Sequence, residues 1–342
     1  MKAQHLIVLR FSAFGDVAMM LPVLRCILVQ HPQLHLTLVT RRQYAPIFSE
    51  LKRVSLHKFQ PKEKHRGLKG LWRLFKELKG NKPMGVVDLH GVLRTHILMF
   101  FFLLSGTRAR QIHKGRREKR QLTRSKNKAL KPLTPTLYRY AEVFRKMGFP
   151  IDLEQHEFPI KKALPSVFEQ QFSKGPTKWI GIAPFASYQG KMYPLDLMQQ
   201  VIAYLQRDHQ VFLFGAGEQE KHQLNIWEKA FPKAHSLVGK HTLNEELALI
   251  ANLDIMLSMD SANAHLAANY NVPVITLWGV THPYAGFAAW GQPDENHLCA
   301  NRQEFPLIPT SVYGNKYPEG YQNAFRTISP KSVIEAVLDR IT

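Results

Sequence analysis

Short apolar runs alternate with amphipathic ones along this chain, and the alternation limits the fold more than any single residue does. In the first half, His5–Leu9, Leu34–Thr40 and Gly85–Leu89 read as strands, with helical periodicity over Ala18–Val29, Leu68–Leu78 and Arg94–Leu104. In the second half, Trp179–Ala183, Val211–Phe214, Asp254–Leu257 and Val274–Leu277 read as strands, with helices after Pro194 and from Glu218. Strand–helix–strand repetition of this kind builds parallel sheets covered by helices, so the chain reads as α/β with two doubly wound sheets. Between the halves, Phe158–Lys178 collects Pro159, Pro165, Gly175, Pro176 and several lysines, the composition of a connector. The expected division is 1–160 and 179–328 for the two Rossmann-like domains, 161–178 for the linker and 329–342 for a closing helix with Ser329 as its N-cap.

With 342 residues, 45% hydrophobic and 21% charged, the chain can bury two cores. Its 46 lysines and arginines face 26 acidic residues, a formal charge of +20, which favours a polyanionic partner: nucleic acid, anionic lipid or a phosphorylated glycolipid. Lys114–Lys131 is a basic block with almost nothing apolar in it, read as an exposed, mobile loop that either binds anions or is simply solvated. No aromatic residue is interleaved there, against a single-stranded nucleic-acid platform. Cys26 and Cys299 offer neither metal spacing nor a disulfide framework, and a reducing cytoplasm follows. The N-terminus runs straight into a strand, without a leader-like apolar segment. Ile97–Leu104 is too short to span a bilayer and is expected to be a buried helix, with membrane-surface contact as the lesser reading.

Chemistry-bearing residues fall where strands turn into helices. Ile255–Leu257 leads into Asp260-Ser261-Ala262-Asn263-Ala264-His265-Leu266, and a helix start with free N–H groups suits a phosphate. Equally, Asp260 or Ser261 caps that helix and His265 packs inside it. After the first strand comes Arg10-Phe11-Ser12-Ala13-Phe14-Gly15-Asp16-Val17, where Gly15 permits close approach and Asp16 is either an N-cap or a carboxylate base. The three spaced glycines of a dinucleotide fingerprint are missing from it, so no nicotinamide or flavin is expected. Lys191, after Ser187, is either a solvated loop lysine or a point charge for a pyrophosphate. Gly215-Ala216-Gly217-Glu218 is either a tight turn or a nucleotide contact with Glu218 on a ribose.

Taken in order, these segments resemble the glycosyltransferase family 9 heptosyltransferases. The markers are Ser12-x-x-Gly15-Asp16-Val17, Asp88-Leu89-His90-Gly91-x-x-Arg94, Lys191 ahead of Tyr193-Pro194, Gly215-x-Gly217-Glu218, Asp260-Ser261-x-x-x-His265-Leu266-Ala267-Ala268, and Ile328-Ser329-Pro330. The resemblance spans Leu6 to about Ile334. It implies a GT-B fold, two Rossmann-like domains facing a central cleft. It also implies inverting, metal-independent transfer of a heptose from an ADP-activated donor to the lipopolysaccharide inner core, with no cofactor. By motif position, Asp16 and Lys191 are the expected catalytic residues, as base and as leaving-group charge. Ser187, Gly217, Glu218, Asp260, Ser261 and His265 are expected on the donor, and Ser12, Gly15, His90 and Arg94 on the acceptor. The partners implied are an ADP-sugar and a phosphorylated core acceptor, at the cytoplasmic face of the inner membrane with peripheral contact through the basic block. Nucleic acid is not expected. Ala262-Asn263-Ala264 and Val280-Thr281-His282-Pro283 depart from the family pattern near the donor, leaving open a GT-B transferase with another sugar nucleotide or acceptor. From a different class, a basic nucleic-acid-binding protein is the remaining alternative.

Overall fold

The computed structural model describes residues 4–172 and 175–341, and the chain divides into two compact units, 1–115 with 134–157 and 116–133 with 158–342. The first unit holds β1 (Gln4–Leu9), α1 (Phe14–Ala18), α2 (Met20–Gln30), β2 (Leu34–Thr40), β3 (Val54–Lys58), α3 (Gly67–Lys79), β4 (Gly85–Asp88), α4 (Leu93–Leu104) and β5 (Arg108–Gln111). Next in the chain comes α5 (Arg116–Thr123), which groups with the second unit, and then α6 (Thr136–Met147) of the first. The second unit continues with α7 (Ser166–Gln171), β6 (Trp179–Ala183), α8 (Leu195–Leu205), β7 (Gln210–Leu213), α9 (Gly217–Ala230), β8 (Ala234–Ser236), α10 (Leu243–Ile250), β9 (Ile255–Met259), α11 (Ala262–Ala268), β10 (Val274–Trp278), β11 (His297–Cys299) and α12 (Pro330–Leu338).

Both sheets are parallel throughout. The first runs β3-β2-β1-β4-β5 and the second β11-β10-β9-β6-β7-β8. Each expands outward from a central pair, β1/β4 or β6/β9, where the direction of strand addition reverses. The apolar runs seen in the sequence are those central strands: Leu6–Leu9 are fully buried, and so is the side-chain set of β9. Helices on both faces cover a parallel strand, so its run is continuously apolar. Four strands not expected from sequence, β3, β5, β8 and β11, are the sheet edges, short and carrying polar residues. Helices α6 and α10 were likewise not foreseen; α10 is fixed by a capping box between Thr242 and Glu245, and α6 stops at Gly148 in the left-handed region.

Three expectations change. The basic block is not a free loop, because Arg116–Thr123 is helical with Leu122 fully buried. Lys128 donates to the carbonyls of Leu307 and Pro309, and Leu133 N–H to Tyr284 O. Those carbonyls lie in an irregular segment whose backbone needs partners, and the lysine supplies them. The stretch 161–178 also carries structure: Phe168 of α7 is fully buried beside His241, and Phe172 meets Trp179, Phe212 and His235. Finally, α4 is only half buried. Leu98 and Phe102 fill the core with Ile7, Leu74 and Val86, while Phe100, Leu103 and Leu104 face outward. The closing helix stands as expected, with Ser329 Oγ accepting from Ser332 N–H and Val333 and Val337 in the second core.

Packing inside the first unit decides the sign of one substitution. A Cβ on Gly70 of α3 would lie 2.3 Å from the backbone carbon of His65, which cannot rotate away. Helix propensity alone gains about 1 kcal/mol from Gly→Ala, but overpacking of about 1–3 kcal/mol opposes it. Gly70→Ala is therefore expected to lower the urea midpoint of the first unit, and a rise would show that the α3 entry relaxes freely.

Candidate functional site

In open parallel sheets, ligands bind beyond the carboxyl ends of the strands where strand order reverses. In the first unit those ends are Leu9 of β1 and Asp88 of β4, and the loops and first helical turns that follow carry Ser12, Gly15, Asp16, His90 and Arg94. Asp88 is fully buried and saturated: Oδ1 accepts from the His90 and Gly91 N–H groups, Oδ2 from Gln111 Nε2 at 2.7 Å. Gly91 takes φ +60°, which lets the turn close. The aspartate of the Asp88–Arg94 motif thus builds the turn that presents His90. His90 Nδ1 faces the Phe11 N–H at 3.5 Å, while Arg94 stands exposed on the first turn of α4.

Arg10 ties this side together, and motif spacing alone did not single it out. The residue is 6% exposed, and its guanidinium donates to Leu89 O at 2.6 Å, ion-pairs with Asp16 and lies 5.8 Å from the centre of the Tyr140 ring. Tyr140 in turn donates to the Asp16 carbonyl at 3.2 Å. Asp16 also accepts from Ala13 N–H, so the carboxylate caps its own short helix and remains partly exposed beside the guanidinium. The N-cap reading of Asp16 is thereby corrected: Ala13 holds the N-cap position, and Asp16, at the third residue of the helix, reaches back to its N–H. Ser12, before α1, and Gly15, within it, are half-buried beside them.

In the second unit, the reversal lies between β6 and β9. The loop after β6 ends in a 3-10 turn, Gln189–Lys191, and the loop after β9 is Asp260-Ser261. Lys191 Nζ meets Asp260 Oδ2 at 2.6 Å and the Asp260 carbonyl at 3.3 Å, with both side chains largely buried. Ser261 holds the N-cap position of α11 without a side-chain cap bond, its hydroxyl 3.2 Å from Ser258 Oγ, and His265 is buried within α11. Residues far along the chain shape the lysine loop. Gly190 O accepts from Val280 N–H, Tyr193 OH donates to Ile328 O at 2.7 Å, and Gly314, at φ +75°, packs its backbone on the Lys191 stem. Ser187 and Glu218 are exposed, and Glu220, not Glu218, closes the Gly215–Gly217 turn by accepting from Ala216 N–H at 2.6 Å.

Among the described residues, one cluster has metal-like spacing: the ligand atoms of His57, His65 and Glu77 lie within 4.8 Å of one another. Its hydrogen bonds argue for an ion-pair network. Gln60 N–H donates to His65 Nδ1 at 3.0 Å, so the neutral ring carries its proton on Nε2 and gives it to Glu77 Oε2 at 3.2 Å. Lys64 already sits 3.5 Å from the other carboxylate oxygen.

Burial, reinforced by the Arg10 and Lys114 charges, pushes His90 from 6.5 to about 3. Burial likewise takes His156 and His282 down to about 4. Between the folded and unfolded values the unfolded chain binds protons that these rings refuse, so stability falls as pH drops through 6.5. His90→Asn is expected to flatten the stability-against-pH slope between about pH 6.5 and 4 and leave it unchanged near pH 8. An unaltered slope in urea titrations at stepped pH would refute the neutral-His90 assignment. Lys191→Met should cost roughly 3–5 kcal/mol by stranding the Asp260 carboxylate, with Asp260→Asn in the same chain restoring much of it.

Residues 71–309 match the profile of glycosyltransferase family 9 (heptosyltransferase). The chain is 27% identical over 288 residues to the lipopolysaccharide core heptosyltransferase OpsX of Haemophilus influenzae, covering 82% of this chain and 80% of that protein. Among solved structures, the family 9 glycosyl transferase of Veillonella parvula aligns at a TM-score of 0.77 and 16% identity, covering 100% and 98% of the two chains. Escherichia coli heptosyltransferase WaaC with ADP aligns at 0.70 and 15%, covering 98% and 100%. The two parallel sheets are those of a GT-B-type fold, and the chain belongs to glycosyltransferase family 9, the heptosyltransferases.

Proposed function

We propose that this glycosyltransferase moves a heptose from an ADP-activated donor to a hydroxyl of the lipopolysaccharide inner core, with inversion and without a metal ion. The observation that carries this reading is the Lys191–Asp260 pair at the strand-order reversal of the second unit. A departing diphosphate needs its growing charge neutralised, and a largely buried ammonium supplies that without a divalent ion. An ammonium has three N–H donors; Asp260 occupies two directions with its carboxylate and carbonyl, and the third serves a phosphate oxygen. Ser187, Ser261 and Gly217 offer hydroxyl or backbone contacts to the donor, Glu218 a ribose contact, and His265, buried in α11, is assigned to the donor side by its motif position.

On the first unit, Asp16 accepts the proton of the acceptor hydroxyl as its oxygen attacks the anomeric carbon and the bond to ADP breaks. Arg10 fixes that carboxylate and holds the β4–α4 turn through Leu89 O, so His90, Arg94, Ser12 and Gly15 share one frame for the acceptor. A single displacement from the face opposite the leaving group inverts the centre. In the second unit, Arg117, Arg120 and Arg124 line a concavity of about 440 Å³ on α5 and its exit, suited to an anionic group. Relatives named for the lipopolysaccharide core, and one solved with ADP, support the same substrates. A nucleotide-activated donor places the reaction on the cytoplasmic side of the inner membrane.

Calorimetric titration with ADP, UDP, GDP and a short RNA tests the donor side. ADP is expected to bind selectively, with Lys191→Ala and Asp260→Ala each weakening it by about tenfold or more. Asp16→Asn should keep ADP affinity while transfer falls by roughly 10²–10⁴-fold. Preference for UDP or GDP would replace the donor, and binding of RNA alone would overturn the reading.

A further inference from the structure

We propose that the outer face of α3 and α4 in the first unit is a membrane-docking surface that seats on anionic lipid headgroups. Helix α4 is apolar on nearly every side. Its inner row fills the core, whereas Leu93, Phe100 and Leu104, at i, i+7 and i+11, are 74%, 57% and 71% exposed. A helix whose solvent side is phenylalanine and leucine has a surface awaiting a low-dielectric partner. The face continues onto α3, where Trp72 meets Phe101 edge-on at 5.0 Å and is itself half exposed.

Charge identifies the partner. Lys69, Arg73 and Lys76 stand exposed on α3, with the Lys76 ammonium 5.7 Å from the centre of the Trp72 ring, and Arg94 and His96 stand exposed on α4. No carboxylate lies on α4, and the one on α3, Glu77, turns to His57, His65 and Lys64. Leucine and phenylalanine bordered by tryptophan and cations suit the boundary between acyl chains and anionic headgroups. A second copy fits poorly, because a two-fold contact would press two faces of the same positive charge, each carrying Lys69, Arg73 and Lys76, against one another. Among the described residues no helix is long and apolar enough to cross a membrane.

The surface puts the membrane contact on α4, the lesser reading of Ile97–Leu104 from sequence, instead of on the basic block of α5. It also starts beside the acceptor side: α4 opens with Leu93 and Arg94 immediately after the turn that presents His90. An acceptor sugar anchored in a bilayer reaches that turn when the helix next to it lies on the bilayer. This last step rests on the proposed acceptor, whereas docking itself needs no turnover.

The test is flotation of the full-length protein with phosphatidylcholine vesicles containing about a quarter phosphatidylglycerol, and with phosphatidylcholine alone. Binding is expected only to the anionic vesicles, with a blue shift of tryptophan emission that disappears in Trp72→Phe. Lys69→Gln/Arg73→Gln/Lys76→Gln should lower partitioning on the order of a hundredfold, at about fivefold for each cation removed. Phe100→Ser/Leu104→Ser should also release the protein, both variants keeping the parent's thermal unfolding and ADP affinity. Arg117→Gln/Arg120→Gln/Arg124→Gln should float as the parent does. Flotation unchanged by the α3 and α4 variants, loss only in the α5 variant, or a lipid-free dimer dissolved by Phe100→Ser/Leu104→Ser would overturn the proposal. Vesicle binding without ADP affinity would leave the docking face standing and remove the donor assignment instead.

Discussion

Reversal of strand order at the centre of each sheet is the constraint on which the candidate site depends. Right-handed crossovers send the chain one way from β1 through β2 to β3 and the other way from β4 to β5, and likewise outward from β6 and β9. The two loops at the reversal diverge toward opposite faces, leaving space between them that no crossover helix fills. Asp16 and His90 come to that space in one unit, Lys191 and Asp260 in the other. Residues separated by dozens of positions become neighbours because two adjacent parallel strands end side by side.

Each reversal is organised by a buried cation, but the cations do different work. Arg10 is a planar fork that binds Asp16, the Leu89 carbonyl and the Tyr140 face at once, so it fixes geometry. Lys191 is a compact charge on a flexible stem, held by Asp260 at its tip and by the Gly314 backbone along its length. A rigid fork suits a carboxylate that must receive one proton along one direction. A point charge suits a diphosphate whose several oxygens share the charge they gain as the bond breaks. In the proposed reaction the guanidinium therefore supports the acceptor side and the ammonium the donor side.

The formal charge of +20 is distributed rather than pooled. Part of it is structural, as when Lys128 satisfies the Leu307 and Pro309 carbonyls; burial beside Arg302 pushes that amine down to about 8. Part forms the arginine-lined concavity on α5, and part borders the exposed apolar row of α4. Counting charges along the sequence marks Lys114–Lys131 as the densest block, yet density does not say which cations are occupied by the fold. Nor does it reveal that Leu122 anchors the block as a helix.

The sequence by itself determined the α/β class, the central strands and the loops that carry chemistry, because a strand buried on both faces must be apolar throughout and a reactive loop must follow it. It also determined the family, through the ordered motifs around Asp16, Asp88, Lys191, Gly217 and Asp260. The edge strands β3, β5, β8 and β11 escaped it, since an edge has one neighbour and tolerates polar residues. Only the tertiary structure decided that Asp88 builds a turn, that Glu220 closes the glycine turn beside Glu218, and that Arg10, Tyr140 and Gly314 belong with the site. It also decided which side of α4 faces solvent. Each of these depends on a partner distant in sequence, and local pattern cannot encode the distance between two side chains that the fold alone brings together.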